Sequence, residues 1–257
     1  MGKKQETENV LAFLQGQLDD AKVKYGEDSK QVIFVNCAIA GIKASKNDGF
    51  DIEIGHFSYE FCPDQYVGKV CLKKEQWDRK PIFNDAGTLS IPGNSIGVVI
   101  FVLESPHKYE FDKKTHAPIG PAEGKTGSSL AEMSRVLDFY PYRNYELILM
   151  NVIPFQCSLG VNPEKFRDEV FAEVWDEKNQ KIKIGESFFE KRLRSLLKAL
   201  NEKNVVIVNA CTAGRERQKK VQKNIERVTG DNVKVTLLQT SHPSSWSIPE
   251  LNKISES

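Results

Sequence analysis

The sequence predicts an α/β protein: a three-layer domain with a central four-stranded, largely parallel sheet flanked by helices, preceded by an N-terminal α+β extension. Three observations predict it. First, four short runs rich in β-branched residues, Val98–Leu103, Leu147–Ile153, Val205–Ala210 and Val233–Gln239, are largely apolar without alternation, the pattern of strands buried on both faces. Second, helix patterns lie between them. Leu130, Met133, Val136, Leu137 and Tyr140 form one apolar stripe, and Phe189, Leu193, Leu196, Leu197 and Leu200 another. Strand–helix alternation of this kind gives parallel strands joined by right-handed crossovers. Third, the texture changes near residue 95, so residues 1–95 are assigned to the extension and 96–257 to the α/β domain.

In chain order, the extension opens on an amphipathic helix pattern carrying Val10, Leu11, Leu14 and Leu18. Three strand-like runs follow, Gln31–Asn36, Phe50–Phe61 and Gly68–Leu72, separated by Gly, Asn and Asp turns. Phe83–Gly97 is expected as a linker or long loop. In the α/β domain, Ser129 and Glu132 have the spacing of a capping box, which predicts a helix starting at Ser129.

Composition narrows the function. The chain has 257 residues, 40% hydrophobic and 28% charged, with a net charge of +1. That is enough chain for one sizeable core, or a core plus a smaller module, and any grip on a polyanion must come from a local patch. The cysteines Cys37, Cys62, Cys71, Cys157 and Cys211 form no CxxC pair. Their odd count and wide spacing predict reduced thiols and no metal site. No apolar signal core opens the sequence and no apolar run is long enough to span a bilayer. A cytoplasmic monomer with no membrane partner is expected.

In a parallel sheet, ligands bind beyond the C-terminal ends of the strands. The residues after the four strands are therefore decisive: Glu104–Phe111 (ESPHKYEF), Asn151–Cys157 (NVIPFQC), Cys211–Gln218 (CTAGRERQ) and Thr240–Trp246 (TSHPSSW). Three of these tails hold Glu, Asn or His next to Pro or Ser, side chains suited to acid–base work and hydrogen-bond reading. A further segment, Ile119–Ser129 (IGPAEGKTGSS), resembles a phosphate-binding loop. That motif needs Gly, four residues, Gly, Lys and Ser or Thr, directly after a strand. Here the first position is Ile119, Gly120 comes one place late, and the preceding DKKTHAP is polar and broken by proline. A nucleotide hydrolase is disfavoured on that spacing.

The order of tails resembles the uracil-DNA glycosylase superfamily, nearest to its family-4-like branch. The matching segments are Leu103–His107 (LESPH), Ala117–Leu130 (APIGPAEGKTGSSL), Asn151–Phe155 (NVIPF), Asn209–Gly214 (NACTAG) and Ser241–Trp246 (SHPSSW). The branch's first motif carries two glycines that are absent here. Its iron–sulfur cysteines are also missing, so no cluster and no other cofactor is carried over. The position of its uracil-stacking phenylalanine holds Ile119.

The resemblance implies a DNA glycosylase that hydrolyses an N-glycosidic bond and leaves an abasic site. Glu104 would orient the water and stabilise the sugar cation. His242 would donate a hydrogen bond to the departing base, and the amide of Asn151 would read its edge. Ile119 lines the pocket without stacking, so Tyr109, Phe111 or Phe155 is a candidate to supply the ring. An aliphatic wall would admit a larger base, such as a 5-substituted or glucosylated phage cytosine as well as uracil, and so implies base excision or antiviral defence. Trp246 is a candidate wedge for the gap left by the flipped base. Ser244 and Ser245 are candidates for phosphate contacts, as is the basic run containing Arg215, Arg217, Lys219, Lys220 and Lys223. A non-catalytic DNA or nucleotide reader on the same fold is the alternative.

Overall fold

The computed structural model describes residues 3–45, 57–132, 141–159, 166–178, 180–201, 203–211, 214–230, 234–246 and 255–256, the side chains of 3–7, 214–215 and 255–256 excepted. The chain forms two compact units. Unit 1 comprises Met1–Cys62, Ser105–Pro118 and Ile153–Phe189, and unit 2 comprises Pro63–Glu104, Ile119–Val152 and Glu190–Ser257. The expected boundary near residue 95 falls inside unit 2, because chain from before it joins the sheet.

In unit 1, helix α1 (Lys3–Tyr25) buries Val10, Leu14, Leu18 and Ala21. Helix α2 (Lys30–Ala44) contains Gln31–Asn36, which was expected as a strand. The correction has a physical cause. Ser29 caps the segment, its hydroxyl accepting from the Val32 N–H at 3.2 Å. The buried positions Val35, Ala38 and Ile42 also recur at helical spacing beyond the six-residue run. Helix α4 (Arg167–Asp176) packs on α2. The approach is close enough that a Cβ on Gly41 would lie 2.8 Å from the Val170 nitrogen. Phe34 sits between Phe57 and Phe155, with ring centroids at 5.9 and 4.9 Å. Of the expected strand Phe50–Phe61, residues 50–56 lie outside the described residues and 57–61 form no strand.

Unit 2 holds a mixed sheet. Its strands are β1 (Gln65–Lys69), β2 (Lys80–Pro81), β3 (Gly97–Leu103), β4 (Glu146–Asn151), β5 (Asn204–Asn209), β6 (Val235–Gln239) and β7 (Ser255–Glu256), in the order β2-β1-β4-β3-β5-β6-β7. The four strands expected from sequence are all present and mutually parallel. The sheet extends beyond them because β1 pairs antiparallel with β4, β2 with β1, and β7 with β6. β3 and β4 are buried at every position, which explains their unbroken apolar sequence.

Helices flank the sheet. Helix α3 (Lys125–Glu132) covers the face carrying Phe101, Leu103, Leu149 and Val208, with Leu130 in that core. Helix α6 (Gly214–Thr229) covers the opposite face, where the Asn209 amide donates to Gln218 O and Gln222 Oε1. Helix α5 (Glu186–Ala199) has the expected stripe, with Phe189, Leu193 and Leu196 buried and Leu200 just past its end. α3 begins at Lys125, one turn earlier than the capping-box spacing predicts, so Ser129 lies inside it. Only Lys125–Ser129 of the glycine-rich run is helical, and there Gly127 packs against Ala122 O, which a Cβ would approach to 1.9 Å. Met133, Val136, Leu137 and Tyr140 lie outside the described residues.

Candidate functional site

The parallel register aligns the strand ends of unit 2. Leu103 pairs with Asn151, Val102 with Asn209, and Asn209 with Gln239. Main-chain hydrogen bonds continue the alignment past the strands: Val152 N–H donates to Leu103 O at 2.8 Å, Ala210 to Val102 O at 2.9 Å and Thr240 to Asn209 O at 3.0 Å. Leu103 and Asn151 are thus one strand spacing of ~4.8 Å apart, and Glu104, one residue beyond β3, lies diagonal to Asn151 at the same edge. The Glu104 and Asn151 side chains are buried, at 4% and 1% exposure.

Alternation along β4 puts Asn151 on the face of Leu147 and Leu149. That face carries Ala122, Leu130 and the half-buried Trp246. Asn151 is therefore on the same side of the sheet as the Ile119–Ser129 segment and the turn after β6. Its amide is unusual. Both Oδ1 and Nδ2 are inaccessible to solvent and neither makes a hydrogen bond among the described residues. Asn209, one strand beyond β3, shows the ordinary structural arrangement: its Nδ2 donates to two acceptors on α6 and its Oδ1 accepts from the Cys211 N–H at 3.2 Å. An unpaired buried amide costs about 1–3 kcal/mol.

The main chain at Asn151 is held instead by Arg192 of α5. One terminal nitrogen, Nη2, donates to the carbonyls of Asn151 and Val152 at 2.6 and 2.7 Å. The other, Nη1, meets both carboxylate oxygens of Asp64 at 2.6 and 2.7 Å. Burial pushes the Asp64 carboxyl upward from its ordinary range, and the Arg192 charge opposes that shift. Nothing local in the sequence signals this pair, since the partners are far apart in the chain and belong to no motif.

His242 opens a tight turn over Pro243–Ser245. Its Nδ1 accepts from the Ser244 N–H at 3.3 Å and lies 2.8 Å from Ser244 Oγ. With Nδ1 taken up by the Ser244 N–H, a neutral ring would carry its hydrogen on Nε2. Ser245 Oγ donates to His242 O at 2.7 Å. Both serine hydroxyls, expected as phosphate contacts, thus order the histidine turn. Trp246 donates from Nε1 to Ser241 O at 2.9 Å and meets Phe101 of β3 edge-on, centroids 6.2 Å apart. The ring anticipated as a DNA wedge anchors the turn onto the sheet. The turn also packs against α3.

The Ile119–Ser129 segment is fixed from β1 and its flank. Gln65 Nε2 donates to Ile119 O at 2.9 Å, while Arg79 donates to Gln65 Oε1 and Pro121 O, each at 2.8 Å. Gly120 has φ +141°, and a Cβ there would lie 2.1 Å from Gln65 Oε1. The Ile119 side chain is 41% exposed. No strand precedes the loop. Residues 111–118 form a turn closed by a Phe111–Pro118 bridge, and Asp112 accepts from the Lys114 and Thr115 N–H groups. A phosphate-binding loop lacks its supporting strand here.

The ring candidates Tyr109, Phe111 and Phe155 all belong to unit 1. Tyr109 is 60% exposed. Phe155 is fully buried, stacked on Phe34 and edge-on to Phe61 at 5.9 Å. With its face and edge committed to that core, Phe155 is removed as a base-stacking ring. Phe111 is likewise buried. In the basic run, Lys219 pairs with Glu216 at 3.0 Å on the exposed side of α6, and Arg217 is half-buried. The side chain of Arg215 lies outside the described residues. Comparison with family models, curated proteins and solved structures returned no match.

Proposed function

We propose that this chain is a DNA glycosylase acting on uracil or a 5-substituted, including glucosylated, cytosine. Asn151 carries the proposal. A buried amide whose donor and acceptor find no partner among the described residues matches the paired donor and acceptor on a pyrimidine edge. Water adds to the sugar C1′ as its bond to the base nitrogen breaks, and the electron pair leaves with the base. The Glu104 carboxylate orients that water, takes its proton and faces the developing cation. His242 Nε2–H donates to the base oxygen that gains negative charge. Such a prepositioned donor contributes about 2.7–4 kcal/mol to related reactions.

Three supports converge: the resemblance in motif order, the register that brings the end of β3, just before Glu104, level with Asn151, and the Ser244 contacts to His242 Nδ1 that leave Nε2 outside that turn. The expected four-strand, three-layer arrangement belongs to the same proposal. A non-catalytic nucleotide reader would use Asn151 equally well but has no need of a buried carboxylate beside it. The test uses duplex and single-stranded DNA carrying uracil, 5-hydroxymethylcytosine or its glucosylated form, followed by alkali to cut abasic sites. Cleavage of at least one substrate, lost in Glu104→Ala and His242→Ala, is expected. No cleavage of any substrate rejects the glycosylase, and cleavage surviving both substitutions rejects the site.

A further inference from the structure

The geometry assigns to Arg192, anchored by Asp64, the role of positioning residue for the Asn151 base reader. This rests on the function proposed above. The reason lies in how Asn151 is held. A side chain that orients a ligand is normally fixed by hydrogen bonds of its own, as Asn209 is. The Asn151 amide makes none among the described residues, so its placement depends on its main chain and packing. That main chain leaves β4 at this residue, where the sheet ladder ends.

Arg192 takes over where the ladder stops. A single guanidinium nitrogen bridges two successive carbonyls, those of Asn151 and Val152. The second nitrogen is locked by both oxygens of Asp64, and each side chain of the pair is 11% exposed. The planar fork fixes the direction of both contacts at once, which a lysine ammonium on a flexible stem does not. On the other side of the same peptide, Val152 N–H bonds to Leu103 O. The peptide after Asn151 is thereby clamped between α5 and β3, immediately before Glu104. Reader and carboxylate share one support.

The experiment is a double-mutant cycle. Arg192→Lys retains the charge opposite Asp64 but loses the fork, and Asp64→Asn retains the shape but weakens the anchor. In single-turnover excision, with enzyme in excess over DNA, each is expected to lower the rate constant by about 10²-fold, the effect of a misplacement near 1 Å. In an Asn151→Ala background, each is expected to cost less than about threefold, because the group being positioned is gone. Equal losses in both backgrounds, or losses below about twofold in the parent, overturn the assignment. The side-chain NH2 signals of Asn151, identified by their absence in Asn151→Ala, give an independent readout. They are expected to shift in Arg192→Lys and Asp64→Asn but not in the surface control Lys219→Ala. Unmoved signals overturn the positioning role even if DNA is cleaved. Moved signals in a protein that cleaves no substrate uphold it while rejecting the glycosylase.

Discussion

Replacing Asn151 by leucine is expected to make the protein more stable and inactive. Leucine keeps the branched shape but puts two methyl groups where the amide has Oδ1 and Nδ2. Both polar atoms are buried and make no hydrogen bond among the described residues, so the parent carries the desolvation penalty of an unpaired amide, about 1–3 kcal/mol. The surroundings are apolar: Leu103 pairs with Asn151, and Leu149 precedes it on the same face. Removing the penalty is expected to raise stability by about 1–3 kcal/mol, or about 2–4 °C in Tm per kcal/mol for a chain near this size. Urea unfolding followed by tryptophan fluorescence and by circular dichroism gives the change directly. Excision on the best DNA substrate is expected to fall about 10²–10³-fold, as for loss of one prepositioned donor. A leucine variant less stable than the parent by 1 kcal/mol or more, on the same scale of about 1–3 kcal/mol, would refute the reasoning, since the amide would then be satisfied within the fold.

Three further outcomes are expected. His242→Asn keeps an oxygen able to accept from the Ser244 N–H but loses the Nε2 donor; excision should fall about 10²–10³-fold with thermal stability unchanged in a melting scan. Gly120→Ala meets both a φ of +141° and a Cβ placed 2.1 Å from Gln65 Oε1, so a loss of about 1–3 kcal/mol is expected in urea unfolding. His107 has its pKa lowered from 6.5, first by burial and then by the Lys108 charge. The unfolded chain therefore takes up the proton first as pH falls, so the His107 contribution to stability is complete above pH 6.5 and declines through the interval below it. His107→Asn should flatten that part of a pH–Tm curve, and an unchanged curve would exclude His107 as its source.

Local pattern was sufficient wherever one element's own burial writes its sequence. The four parallel strands are legible because burial on both faces demands continuous apolar residues, and α5 because one buried stripe repeats every three or four residues. Gln31–Asn36 was misread because six apolar-rich residues suit a strand or a helix, and only the Ser29 cap and the contact of Gly41 with Val170 separate the two. Residues of the edge strands carry weak pattern, so their membership in the sheet emerges from pairing with β4 and β6.

The same division holds at the site. Sequence determined which residue types follow each strand, hence Glu104, Asn151 and His242 as candidates at one edge of a parallel sheet. Only the motif resemblance singled out Asn151; local pattern does not separate it from Asn209, two asparagines ending two strands, because their difference lies in which face each occupies and what α6 supplies. Tertiary structure also decided that Trp246 anchors a turn on Phe101, that Phe155 is spent in an aromatic core, and that Asp64 and Arg192 meet. Side-chain type is fixed residue by residue along the chain. Hydrogen-bond satisfaction depends on partners brought together from distant segments, and only the folded chain sets it.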